Sequence, residues 1–176
     1  FFPFWRYHFL IKSLNKKIKP YKINREILEV GDVVFALCYS PEDEKFYLIK
    51  QFRPFYYVRK EKYKFELVGG LVDKGESLIQ AVKREIKEEI GVRTLKLKKL
   101  TRYCPVPGYS DEIVNVYYAE VEKIKNSHLY NKFENEEIKV SKLTIDQLKK
   151  INSSEQIQNV LTKVSIYEYL NKIKKS

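Results

Sequence analysis

The segment 77–90 constrains the fold more than any other part of the chain, because its spacing is that of one amphipathic helix. At about 100° per residue, the apolar side chains fall on a single arc that must face a core. That arc consists of Ile79, Val82, Ile86 and Ile90. The opposite, water-facing side carries Gln80, Lys83 and Lys87. Gly91 follows as a natural C-terminal cap, so the helix is predicted to end there.

Three carboxylates, those of Glu85, Glu88 and Glu89, lie on the flank of this arc at positions i, i+3 and i+4. The spacing brings them together, and like charges so placed destabilise a helix by roughly 0.2–0.5 kcal/mol per pair. A hard divalent cation such as Mg²⁺ or Mn²⁺ would remove the repulsion, because it prefers carboxylate oxygens and shares its ligand set with phosphates. Arg84 could orient Glu88 from four residues away. The charge pattern alone leaves a solvated acidic flank open as the alternative.

Short β-branched and aromatic runs on both sides of the helix predict a sheet. These runs are 33–39, 46–52, 65–68, 95–103 and 113–121. The first two are predicted to pair across a turn, and the third to stop at Gly69 and Gly70. Helical spacing returns in the tail, at 145–151 and 157–170. We predict a mixed α/β (α+β) domain at 31–176, with a sheet sandwiched between helices, preceded by an N-terminal extension at 1–30.

The composition narrows the class of protein. The 176 residues suffice for one compact domain, and no apolar run approaches the roughly 18 residues of a spanning helix. The aromatic start lacks the features of a signal peptide, so a cytoplasmic protein with no membrane partner is expected. Because methionine is absent, the chain is expected not to begin at its natural start. His8 and His128 lie far from any candidate nucleophile, which disfavours chemistry that depends on imidazole.

Two further compositional features each leave an alternative open. Cys38 and Cys104 lie in apolar stretches without metal-type spacing, so buried free thiols are expected, with a disulfide or redox role as the alternative. The formal net charge is +11. A positive surface attracts nucleotides and nucleic acid, but lysine is abundant along the whole chain. We therefore expect compositional bias with a solvated surface, and no nucleic-acid partner.

A longer pattern surrounds the helix. Gly70, then five residues, Glu76, then seven residues and the run 84–92 resemble the Nudix box at every fixed position over 23 residues. The resemblance implies the Nudix fold and hydrolysis of the diphosphate bond of a nucleoside diphosphate derivative. It also implies metal binding by the Gly69 carbonyl, Glu85 and Glu89, with Glu88 close to the catalytic centre.

Other residues of the box are implied to be structural. They are Gly70, Glu76, Arg84 and Gly91. In the family, the glutamate and arginine support the loop and helix by mutual contact. Gly69 replaces a more usual alanine, and we expect this departure to be mild because the backbone carbonyl is what matters there.

Segments outside the box resemble the ADP-ribose and nucleoside-diphosphate-sugar pyrophosphatase branch of the family. They are 25–32, 49–54, 65–70, 107–112 and 134–138. Pro107 stands 16 residues after Gly91, where a proline is the branch's marker for ADP-ribose.

The resemblance to that branch implies roles for five residues. Arg53 would bind the phosphates or the terminal ribose, where a guanidinium suits oxyanions, and Glu112 would accept hydrogen bonds from ribose hydroxyls. Glu134 would be the general base on the attacking water, and Glu136 an additional metal ligand. Arg25 would reach across a two-fold interface to the partner's substrate, which implies a homodimer. The alternatives are a surface arginine at 53, a solvated carboxylate at 112 and an acidic loop at 134–138 that only solvates itself.

The expected reaction is Mg²⁺-dependent hydrolysis of ADP-ribose to AMP and ribose 5-phosphate. A pyrophosphatase for UDP-glucose or GDP-mannose is the nearest alternative, and a non-catalytic nucleotide- or RNA-binding module is the next. One of Trp5, Tyr7 and Phe9 could stack on the base, with core packing or a dimer contact as the alternative.

Overall fold

The computed structural model describes residues 3–131 and 136–173. In chain order its elements are β1 (Phe4–Ile11), β2 (Tyr21–Leu28), β3 (Asp32–Ser40), β4 (Lys45–Lys50), α1 (Pro54–Val58), β5 (Val68–Leu71), α2 (Leu78–Ile90), β6 (Thr94–Tyr103), β7 (Ile113–Val121), β8 (His128–Asn131), β9 (Glu136–Leu143), α3 (Ile145–Asn152) and α4 (Val160–Ile173). The predicted helix, the tail helices and four of the five predicted strands are confirmed.

The main sheet of the described residues is mixed. Its strand order is β6-β7-β3-β4-β9-β8, and β5 pairs with β3 off this path. Strands β3 and β7 run parallel, with Asp32 opposite Ile113, while the other pairs are antiparallel. The predicted pairing of β3 with β4 is confirmed.

Both faces of this sheet are buried, each against helices. Helix α2 covers one face through Ala81, Val82, Ile86 and Ile90. Helices α3 and α4 cover the other through residues such as Leu148 and Ile166. The alternation of side chains along a strand supplies both cores at once: Val34 and Ala36 face α2, while Val33 and Leu37 face α3 and α4. The predicted sandwich of a mixed sheet between helices is confirmed.

The N-terminal segment forms a separate antiparallel hairpin, β1 with β2, which we call the arm. Its apolar side chains include exposed ones at Phe4, Trp5, Tyr7 and Leu10. The arm joins the domain through its base, where the Leu28 N–H donates to the Tyr109 carbonyl at 2.8 Å. In the described part of the chain, no helix is both long and apolar enough to cross a membrane.

The two glycines before the box helix do not end a strand, contrary to prediction. They lie inside β5, opposite Phe35 and Val34. A Cβ at Gly69 would lie 2.1 Å from the Val34 carbonyl oxygen, so β5 can approach β3 this closely only with glycine at that position. The expectation that alanine and glycine are nearly equivalent at position 69 is therefore wrong for this chain.

Two smaller predictions are also wrong. Ile79 is 45% exposed, and Ala81 takes its place in the core. The reason is that the buried side of α2 includes Ala81 and Glu89, so it is shifted from the predicted arc and leaves Ile79 at its margin. Cys104 is an exposed free thiol, because β6 ends at Tyr103 and the chain there leaves the sheet. Cys38 is buried and free, as expected.

Candidate active site

Helix α2 is fixed at both ends by local chemistry. Ser77 and Gln80 form a capping box, in which the Gln80 N–H donates to Ser77 Oγ at 3.3 Å and the Ser77 N–H donates to Gln80 Oε1 at 2.9 Å. Gly91 adopts the left-handed conformation, with φ of 69°, that ends a helix. These caps fix where the helix begins and ends, while packing of its apolar side against the sheet sets the direction of its carboxylates.

The carboxylate of Glu89 lies against the backbone of β5. Its Oε2 accepts a hydrogen bond from the Gly69 N–H at 2.7 Å, and the residue is only 8% exposed. Burial of a carboxylate is unfavourable unless opposite charge or strong donors compensate it. Burial raises the pKa of the neighbouring Cys38 thiol, and the charge of Glu89 raises that pKa further.

Glu85 lies over the next residue of β5. A Cβ at Gly70 would be 2.5 Å from Glu85 Oε1, so the missing side chain leaves the room that this carboxylate fills. The Glu85 side chain is 12% exposed. The structure therefore brings together Gly69 and Gly70 of β5 with Glu85 and Glu89 of α2. In the sequence these two pairs lie on either side of the box loop, which joins β5 to α2.

Arg84 connects the box loop to the helix. Its guanidinium donates to Glu76 at 2.9 and 3.1 Å, to Glu85 at 2.8 Å and to Glu88 at 3.1 Å. It also donates to the Leu71 carbonyl at 2.9 Å. The contact between Arg84 and Glu76 holds the pKa of that carboxyl below its usual value, and the surrounding glutamates raise the pKa of Arg84. The mutual contact that the resemblance implied is thus present.

The chemistry of this cluster fits a hard divalent cation. Three glutamates, at 76, 85 and 88, share one guanidinium, and Glu89 lies beside them on α2, so the cluster is strongly negative in a chain whose net charge is +11. The donors that this cluster offers a cation are carboxylate oxygens, and the side chains of Glu85 and Glu89 are both largely buried. Within the residues described, no three acidic, histidine or cysteine side chains already enclose a common position. Arg84 contacts Glu85 and Glu88 directly.

Sequence reasoning missed the partner of Arg53. Arg53 precedes α1 and donates through Nε and Nη2 to Oε2 of Glu66, at 2.9 and 2.8 Å. The Glu66 side chain is 3% exposed, whereas that of Arg53 is 40% exposed. Backbone hydrogen bonds between Ile49 and Glu66 bring the two segments together. The only sequence signal was the position of Glu66 within the segment 65–70.

The loop 104–112 carries two of the predicted specificity residues. Pro107 is exposed, in a turn where the Ser110 N–H donates to the Val106 carbonyl at 3.1 Å. Glu112 is half-buried, and desolvation raises the pKa of its carboxyl above the usual value. Its N–H donates to Ser110 Oγ at 3.1 Å.

The remaining predicted residues lie elsewhere or outside the description. Arg25 is exposed on β2 of the arm, and its Nη1 donates to the Asn24 carbonyl at 2.8 Å. Glu134 lies outside the described residues, and Glu136 is described only as the beginning of β9. The functional roles of all these residues stay predictions.

Comparisons with known proteins agree with this geometry. The NUDIX domain family matches residues 30–163. The ADP-ribose pyrophosphatase of Bacillus subtilis (strain 168) is 32% identical over 149 residues, covering 83% of this chain and 75% of that protein. The ADP-ribose pyrophosphatase of Escherichia coli (strain K12) is 26% identical over 168 residues, covering 94% and 80%. A crystal structure of an ADP compounds hydrolase shares the fold, with a TM-score of 0.66, 18% identity and coverage of 88% of this chain and 80% of that one.

Proposed function

The chain belongs to the Nudix family of hydrolases, and from that premise we propose that it hydrolyses ADP-ribose to AMP and ribose 5-phosphate with Mg²⁺. The observation that carries the proposal is the placement of the Glu85 and Glu89 carboxylates against Gly69 and Gly70. The choice of ADP-ribose is supported by Pro107 and by two relatives that are named ADP-ribose pyrophosphatases.

Residues of the box would hold the metal. Glu85, Glu89 and the Gly69 carbonyl supply hard oxygen donors, and Glu136 is proposed as a further ligand. When bound, a divalent cation neutralises the diphosphate and lowers the pKa of a coordinated water. Arg84 contacts the carboxylates of Glu85 and Glu88 and ties both to the loop that carries Glu76.

The chain's other residues would bind the substrate and move the proton. Arg53 presents a guanidinium, held in place by Glu66, to the phosphates or the terminal ribose. Glu112 accepts hydrogen bonds from ribose hydroxyls, and Glu134 takes a proton from the attacking water. Arg25 acts on the substrate of a second copy, so the active protein is proposed to be a homodimer.

A substrate panel tests the proposal. Turnover would be compared on ADP-ribose, UDP-glucose and GDP-mannose, each with Mg²⁺ and with Mg²⁺ removed by a chelator. We expect the highest kcat/KM on ADP-ribose, with AMP and ribose 5-phosphate as products, and no turnover after metal removal. If ADP-ribose were the poorest substrate of the three, the proposed specificity would be wrong, although the diphosphate chemistry would stand.

Glu66→Gln is expected to raise KM for ADP-ribose by about ten-fold with kcat changed less than about three-fold. The substitution keeps the shape of the side chain but removes the charge that fixes Arg53, so the guanidinium is less well positioned for the phosphates. Steady-state kinetics check this, with Glu61→Gln as the matched control, because Glu61 lies in the same connecting segment and contacts Lys64 instead. A fall in kcat at unchanged KM would contradict the assignment of Arg53 to substrate binding.

A further inference from the structure

The base of the arm and the loop 104–112 are hydrogen-bonded to each other as a short parallel pair. Leu28 bridges to Ser110, with its N–H donating to the Tyr109 carbonyl at 2.8 Å. Its carbonyl accepts from the Asp111 N–H at 3.3 Å. The arm therefore joins the domain on the loop that carries Glu112.

The side chain of Asp111 reinforces this junction. Its Oδ1 accepts from two successive backbone N–H groups, those of Val30 at 2.7 Å and Gly31 at 3.0 Å. Gly31 has φ of 80°, a conformation that glycine adopts readily and that turns the chain from β2 toward β3. Successive N–H groups aimed at one oxygen form an anion-binding concavity, which here is filled by a residue of the protein itself. These two bonds favour the ionised carboxylate and lower the pKa of Asp111.

The far side of the junction is anchored in the sheet. The Ile113 N–H donates to the Gly31 carbonyl at 3.0 Å, immediately where β7 pairs with β3. Buried Asn115 then donates from Nδ2 to Asp32 Oδ1 at 2.8 Å. Asp111 thus lies between the paired ends of β3 and β7 and the two segments, the arm and the loop 104–112, that are also joined through the Leu28 backbone.

We propose that Asp111 is a positioning residue that clasps the arm to the loop 104–112, so that Arg25 and Glu112 keep a fixed relation to the substrates they bind. Arg25 lies three residues before Leu28 on β2, and Glu112 follows Asp111 directly. Loss of the clasp leaves the box helix and its carboxylates untouched but lets both segments move. The inference rests on the proposed function, because that function assigns Arg25 and Glu112 to substrate binding.

The test compares Asp111→Ala with Asp111→Asn. An asparagine keeps an oxygen that can accept both N–H groups, whereas alanine keeps none. We expect Asp111→Ala to raise KM about ten-fold with kcat within about two-fold of the wild type. Asp111→Asn should recover most of that loss. Asp146→Ala, at an exposed carboxylate on α3, is the control for removing one surface charge.

Amide hydrogen exchange gives a second readout that does not depend on substrate. In Asp111→Ala, the amides at 28–31 and 110–113 should exchange faster, while those of α2 keep their wild-type protection. Unchanged exchange together with an unchanged KM would overturn the clasp, and so would faster exchange with an unchanged KM. A loss of kcat that asparagine does not rescue would also overturn it, by showing a general structural defect.

The two proposals fail in different ways. If the wild type prefers another nucleotide sugar in the substrate panel, the KM comparison is made with that substrate and the clasp is judged as before. If the wild type cleaves no member of the panel, the proposed function is refuted. The exchange experiment alone then decides whether Asp111 holds the arm to the loop 104–112.

Discussion

Glu89→Gln is expected to lower kcat for ADP-ribose hydrolysis by about 10³-fold while the protein stays folded. Glu89 is the most buried carboxylate of the cluster, and its Oε2 already accepts the Gly69 N–H. Glutamine keeps an oxygen for that hydrogen bond but carries no charge. The variant therefore separates the electrostatic part of the site from its packing.

The stability of the same variant gives a sharper readout. Without metal, neutralising a buried carboxylate beside other carboxylates removes repulsion, so the melting temperature of Glu89→Gln should equal or exceed that of the wild type. A ligand that binds only the native state raises the free energy of unfolding by RT ln(1 + [L]/Kd). Added Mg²⁺ should therefore stabilise the wild type strongly and the variant weakly.

The matched control is Glu155→Gln, which makes the same chemical change at an exposed position outside the cluster. It should keep wild-type kcat and the wild-type response to Mg²⁺. Wild-type activity in Glu89→Gln, or an undiminished thermal shift with Mg²⁺, would refute the assignment of Glu89 as a metal ligand.

Helix α2 could be predicted from the sequence because the features that define it are local. Ser77 and Gln80 cap its start, Gly91 caps its end, and the spacing of Val82, Ile86 and Ile90 identifies the buried side. The position of Glu85 and Glu89 beside the buried side of that helix could be predicted for the same reason. Their exact burial could not, since it depends on how closely β5 approaches from elsewhere in the chain.

Contacts between distant segments account for what sequence reasoning missed. Asp111 and the Val30 and Gly31 amides are about eighty residues apart, and no local pattern signals that they meet. The same holds for Arg53 and Glu66, which are brought together by a single backbone bridge. Strand β5 was missed because two glycines carry little strand propensity, and only the partner strand makes them extended.

Arg84→Ala is expected to lower the free energy of unfolding by about 3 kcal/mol in the absence of metal. The guanidinium is largely shielded from solvent, at 28% exposed, and it is held by Glu85 and by the Leu71 carbonyl. Its removal leaves neighbouring carboxylates to repel one another without a compensating cation. Urea unfolding measures the loss. Arg93→Ala is the control, because Arg93 is 76% exposed and pairs with Glu122 on the surface, where an ion pair contributes at most about 1 kcal/mol.

Acid should reduce the difference between Arg84→Ala and the wild type. Arg84 holds the folded-state pKa of Glu76 below the ordinary value of 4.5, so this stabilisation is present above pH 4.5 and is lost as the pH falls through the lowered pKa. The gap in unfolding free energy should therefore be widest near neutral pH and narrow below 4.5. Mg²⁺ should narrow it too, because the uncompensated carboxylates of the variant attract the cation more strongly, so that Mg²⁺ stabilises the variant more than the wild type. A gap independent of both pH and Mg²⁺ would show that Arg84 acts through packing alone and that the carboxylates around it do not form a cation site.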